Sequence, residues 1–199
     1  MAMIEPMQAR ATGRINKQDT PPKGRFYGRC IYVEDMENYE MTFDGKTSFE
    51  SVTQLFFGFR SKEGVPYVVR TWPMPRRITE KSKLGKFLRL WGQCPAGLPW
   101  DTQSLLGKEA ELRIIHSLGA KGNSIFANIE ICLPVDEEDL VKVAPLSFFQ
   151  GTILGDDGEP WKLGTPSEPR QATPRTPATG SQAQAQTKPE AEDDDSIPF

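Results

Sequence analysis

The chain has 199 residues, of which 37% are hydrophobic and 26% charged, with a net charge of −3 and three cysteines. That length suits one ordinary domain plus a sizeable tail; no apolar run is long enough to span a bilayer, and residues 1–19 lack the apolar core of a signal peptide. Cys30, Cys94 and Cys132 are far apart with only His116 to help them, which excludes a convincing zinc site and fits free thiols in a reducing cytoplasm.

Charge is unevenly spread: +1 over residues 1–19, +4 over 20–132 and −8 over 133–199. A mildly basic body joined to an acidic tail suits a binder of polyanions, although an ordinary domain with a solvated tail would have the same balance.

Residues 1–23 read as a flexible N-terminal arm. Strands are expected at Phe26–Val33 and Tyr39–Phe43, with the polar run Glu34–Asn38 as the turn between them. Ser51–Arg60 and Val65–Trp72 flank Ser61-Lys62-Glu63-Gly64, a four-residue connection that fits a hairpin loop. Ser82–Trp91 is the one good helical stretch: Ser82 can cap its start, and Leu84, Phe87, Leu88 and Trp91 recur at helical spacing. Glu109–His116 and Ser124–Leu133 form a second strand pair. Strands, one helix and two more strands is the order of an oligonucleotide-binding barrel, so the expected fold is mainly β: an OB-fold, a five-stranded Greek-key barrel with one helix, over residues 24–150. Residues 151–190, rich in Pro, Thr, Ala and Gln, read as a disordered linker, and 191–199 as an acidic interaction tip.

Alternation along the strands sorts side chains into two faces. Leu55, Phe57 and Phe59 share the expected core face. Gln54, Phe56, Gly58 and Arg60 share the other. Arg70 and Trp72 point one way from the next strand, and Phe126 faces outward opposite an apolar Ile125–Ala127–Ile129–Ile131 row. Phe56, Arg60, Arg70, Trp72 and Phe126 therefore form a candidate outer surface, although core packing or a contact between copies competes for each ring. Arg76 and Arg77 lie in the most positively charged segment, and Lys121 sits in a Gly- and Lys-containing loop. Rings and bases interleaved in this way suit single-stranded DNA. Lys and Arg meet phosphates, and each base stacked on a ring contributes about 1–3 kcal/mol whatever its identity. Trp91 and Trp100 read as packing residues, and His116 as a packed histidine.

Asp193-Asp194-Asp195-Ser196-Ile197-Pro198-Phe199 closes the chain with three carboxylates and an apolar hook. A terminus of this kind has no core to join, which points to a pocket on another protein: Phe199 would fill an apolar hole, its carboxylate would meet an Arg or a backbone nest, and Pro198 would lower the ordering cost. This ending resembles the C-terminal tip of bacterial single-stranded DNA-binding proteins, departing from the commonest form by Ser196. A second resemblance lies in Ser82–Leu88, Leu106-Gly107-Lys108 and Phe126-Ala127-Asn128-Ile129, which look like small proteins of phage replication and recombination modules taken to be oligonucleotide-binding barrels. The body shows no match to the barrel of the standard bacterial protein, so that protein's tetramer is not carried over and a homo-oligomer is left open.

The resemblances imply a protein of the bacterial cytoplasm, of bacterial or phage origin. It would coat single-stranded DNA during replication, recombination and repair, and recruit partner proteins through Asp193, Asp194, Asp195, Ile197, Pro198 and Phe199. No catalytic residue, metal or cofactor is expected: phosphate-loop and nucleophile-elbow motifs are missing, and the acidic clusters Asp136–Asp139 and Asp193–Asp195 lie in or near tail-like sequence. The alternative is an adaptor that mimics the tip to recruit host replication factors without binding DNA.

Overall fold

The structure, a computed structural model, describes residues 14–16, 18–43, 46–97, 99–118, 125–155, 158–163 and 170–171. It is mainly β. In chain order the elements are β1 (Arg14–Ile15), β2 (Gly24–Phe43), β3 (Lys46–Arg60), β4 (Pro66–Arg70), β5 (Met74–Pro75), α1 (Lys83–Leu90), β6 (Glu109–Leu118), β7 (Ile125–Leu133), β8 (Ile153–Leu154) and β9 (Arg170–Gln171), with 3-10 turns at Thr102–Leu105, Glu137–Lys142 and Leu146–Phe149. One sheet runs β4-β3-β2-β6-β7, all antiparallel; β5 adds to β3, and β9 adds to β2 in parallel.

The expected turn at Glu34–Asn38 is not a turn. β2 is one strand of 20 residues; Glu34, Asp35 and Met36 stay in the ladder opposite Gln54, Thr53 and Val52. The polar run survives inside the sheet because Asp35 is bonded from outside it: Thr102 Oγ1 donates to Asp35 Oδ2 at 2.5 Å. The irregularity contracts to a bulge between Met36 and Tyr39, with Asn38 at φ 54°, a conformation Asn tolerates better than most residues. β2 also changes partners, pairing β6 over Gly24–Arg29 and β3 from Gly28 onward.

The first apolar core lies between the sheet and α1. Leu55, Phe57 and Phe59 of β3 meet Leu84, Leu88 and Trp91, together with Cys30, Leu112 and Cys132, as alternation predicts. Burial pushes the thiols of Cys30 and Cys132 up; Cys94 is exposed. Ser82 caps α1 by accepting from Gly85 N at 3.1 Å, and Trp91 Nε1 donates to Glu109 O at 2.7 Å.

A second core covers the other face. Ile31, Tyr32, Phe56 and Val68 pack under Ala144, Phe149 and Ile153, with Trp161 edge-on to Tyr32 at 5.2 Å. Ordered structure thus continues past residue 150, where the body was expected to end. The cover is fitted to its seat at Gly58: a Cβ there would lie 2.8 Å from two ring atoms of Phe149, so only glycine lets the ring down. Within the N-terminal arm, β1 pairs with β8. Gln18 then docks on the sheet edge, donating from Nε2 to Val68 O at 2.7 Å and accepting from Val68 N at 3.0 Å. Exposed His116 donates from Nε2 to Pro21 O at 2.8 Å, so it is a surface clasp and not a packed histidine. Among the described residues, no helix is long and apolar enough to cross a membrane.

Candidate functional site

Of the expected surface residues, Phe56 is misplaced. It is fully buried, edge-on to Tyr32 at 5.1 Å. The face it occupies is indeed opposite the α1 core, but the segment after Val143 lies over it, so this ring cannot stack on a base. Arg76 is also removed from the surface chemistry. Its Nη1 is 2.9 Å from Glu37 Oε1 and its Nε 3.9 Å from buried Asp35, which makes it a brace between β2 and the chain after β5. Arg77 is exposed but paired with Glu50 at 3.0 Å. Lys121 and residues 193–199 lie outside the described residues.

Arg70, Trp72 and Phe126 remain available. Thr71 fixes where Arg70 and Trp72 sit: its N–H donates to Leu55 O at 2.9 Å, its Oγ1 accepts from Leu55 N at 3.0 Å, and its carbonyl accepts from Gln54 Nε2 at 2.6 Å. The clamp continues β4 one residue past its ladder and sends Trp72 into solvent, where it is 73% exposed. Phe126, 53% exposed on β7, lies in the ladder opposite Ser117. Arg70 and Phe126 line one concavity of about 200 Å³ between the two sheet edges, floored by Val69 and Ala127 and bounded by Gln18–Pro21. Two of the predicted residues thus meet across a seam that strand alternation alone could not have drawn.

Arg60 stands apart from them. It pairs with Pro66 at the turn end of the β3–β4 hairpin, whereas Arg70 pairs with Phe56 four residues on. Its guanidinium lies 5.9 Å from the ring centroid of Phe148. With Lys62 it borders a second, larger concavity of about 580 Å³ whose far wall is Arg25, Phe26, Tyr27 and Lys142. The sequence reading passed over this wall. Tyr27 is its hinge: its hydroxyl donates to Asp139 Oδ2 at 2.5 Å, and the charged groups of Arg25 and Lys142 sit 5.6 and 5.0 Å from its ring centroid. The bond to Lys142, then that from Tyr27, holds the Asp139 carboxyl below its ordinary range; the same bond to Asp139 raises the Tyr27 hydroxyl, and Asp139 likewise raises Lys142. Arg25 is raised by its bond to Glu111. All four groups are therefore held in their neutral-pH forms, with Arg25 and Lys142 cationic.

Among the described residues, no group of three or more His, Cys, Asp or Glu side chains is placed to hold a metal ion. Comparison of the chain with protein-family models, curated proteins and solved structures finds no match.

Proposed function

We propose that this chain is a non-enzymatic single-stranded DNA-binding protein whose body is an OB-fold and whose acidic C-terminal tip recruits replication, recombination and repair proteins. The strand path supports the fold reading: β2 sits centrally between β3 and β6, the helix falls between β4 and β6, and the β4 and β7 edges approach each other across Gln18. That is the arrangement expected of a partly open five-stranded Greek-key barrel. One observation carries the functional reading: Arg70 and Phe126 line a single concavity at the seam, with Trp72 exposed two residues beyond Arg70. A cation and two solvent-facing rings at a sheet edge suit a phosphate and its neighbouring bases, with no dependence on sequence. The tip supports recruitment through its resemblance to that of bacterial single-stranded DNA-binding proteins.

Titration with oligo-dT, followed by tryptophan fluorescence at several salt concentrations, tests the reading. Trp72 is the most exposed tryptophan, so stacking quenches it, and binding weakens steeply with salt as phosphates release counterions. No quenching and no binding at low salt would leave the adaptor reading. The burial of Phe56 and the pairing of Arg76 and Arg77 with carboxylates favour that reading, since they shrink the surface open to DNA.

A further inference from the structure

The larger concavity is not used by the site at the seam. Its cationic residues come from three separate stretches of chain: Arg25 at the start of β2, Arg60 and Lys62 at the β3–β4 turn, and Lys142 at the end of a 3-10 turn. Two of them are engaged with acids, Arg25 with Glu111 and Lys142 with Asp139. Arg60 and Lys62 have no carboxylate within 4 Å among the described residues. Both border the opening, and Arg60 is kept there by the ring of Phe148. Glu63 also lines the cleft, its carboxyl lowered by bonds from Ser61 and the backbone and by the charge of neighbouring Lys62. Four cations against this one acid, beside an aromatic wall, make the cleft an anion site. Its placement says which anion. The ladder from the Arg60–Pro66 pair to the Phe56–Arg70 pair spans four residues of β4, about 13 Å at the usual rise, so both sites lie along one edge of the same hairpin.

Resting on the DNA-binding reading above, we infer that the cleft lined by Arg25, Tyr27, Arg60, Lys62 and Lys142 is a second phosphodiester contact. A single strand held by Arg70, Trp72 and Phe126 continues along β4 into it. The bases are gripped at the seam and the backbone at the cleft, so the two halves of the footprint respond to different perturbations.

The double variant R60A/K62A in the full chain separates them. For an oligo-dT of about 16 nucleotides, the upper range for one barrel, removing two phosphate contacts lowers the slope of log K against log salt by about 1.4, since each contact contributes about 0.7 for single strands. For an oligo-dT of about four nucleotides, which the seam alone can hold, affinity and slope stay as in the parent. K62E, a single change on an exposed turn, removes one of the two contacts and lowers the slope for the long oligonucleotide by about 0.7 without touching the Phe148 contact, and matching thermal melts show that both variants fold. An unchanged slope for the long oligonucleotide, with the parent protein binding normally, overturns the inference while leaving the seam intact. Failure of the parent to bind any oligonucleotide overturns the DNA-binding reading itself. Should R60A/K62A bind DNA like the parent but lose binding to an Asp-rich peptide that the parent holds, the cleft is a protein-binding site and the inference falls.

Discussion

Gly58→Ala isolates the contact that seals the second core. The added methyl would meet Cδ1 and Cγ of Phe149 at 2.8 Å, closer than carbon atoms approach, so either the ring withdraws or the sheet gives. Withdrawal forfeits burial of a ring that is now wholly covered, up to about 2–3 kcal/mol; staying and straining costs about 1–3 kcal/mol. Either route lowers stability by about 1–3 kcal/mol, which at a typical urea slope of about 2 kcal/mol/M moves the midpoint by roughly 0.5–1.5 M with the slope unchanged. Phe149→Ala costs about 3–5 kcal/mol. The decisive measurement is the double variant. Once the ring is gone the methyl at position 58 has nothing to strike, so Gly58→Ala in the Phe149→Ala background is close to neutral, and the cycle shows coupling equal to most of the single-variant loss. An unshifted midpoint for Gly58→Ala, or the same loss in both backgrounds, refutes the claim that Phe149 is seated on this glycine.

Trp72→Ala and Phe126→Ala each weaken oligo-dT binding by about 1–3 kcal/mol, roughly 5- to 150-fold, with thermal melts unchanged because both rings are exposed; equal affinity by anisotropy would remove that ring from the interface. Arg76→Ala behaves in the opposite way: it lowers stability by leaving Asp35 buried without its nearest cation, yet leaves the salt slope of DNA binding unchanged, and a reduced slope would return Arg76 to the interface. Deleting residues 193–199 leaves DNA binding intact or tighter and abolishes capture of partner proteins, and Phe199→Ala alone removes most partner affinity. Weaker DNA binding by the truncated chain, or an unchanged pull-down with Phe199→Ala, contradicts the role given to the tip.

Where local chemistry decides the outcome, the sequence was readable. The Ser82 cap and the spacing of Leu84, Leu88 and Trp91 placed α1 within a residue, and the Leu55–Phe57–Phe59 alternation named the inner face of β3. What lies over a face is a different matter. Period-two alternation separates Phe56 from Phe57 but carries no information about a segment ninety residues later descending on one side, so by alternation alone Phe56 faces outward. The same limit hid the cleft, whose Arg25 and Lys142 are brought together only by folding. Glu34–Asn38 misled for a reason of its own. Its composition is that of a turn, and only the bond from Thr102 and a one-residue bulge let it continue as strand. The pairings of Arg76 with Glu37 and Arg77 with Glu50 likewise join positions whose attraction leaves no local pattern.

Gln18 has a consequence for how molecules of this chain meet one another. β4 ends the sheet path, and the outward-pointing N–H and C=O of Val68 are groups that an extended segment from another molecule would bind. The amide of Gln18 imitates such a segment at that position, giving Val68 both of its bonds from within. This rim is already occupied at its middle, so crowded copies find no continuous template there on which to stack.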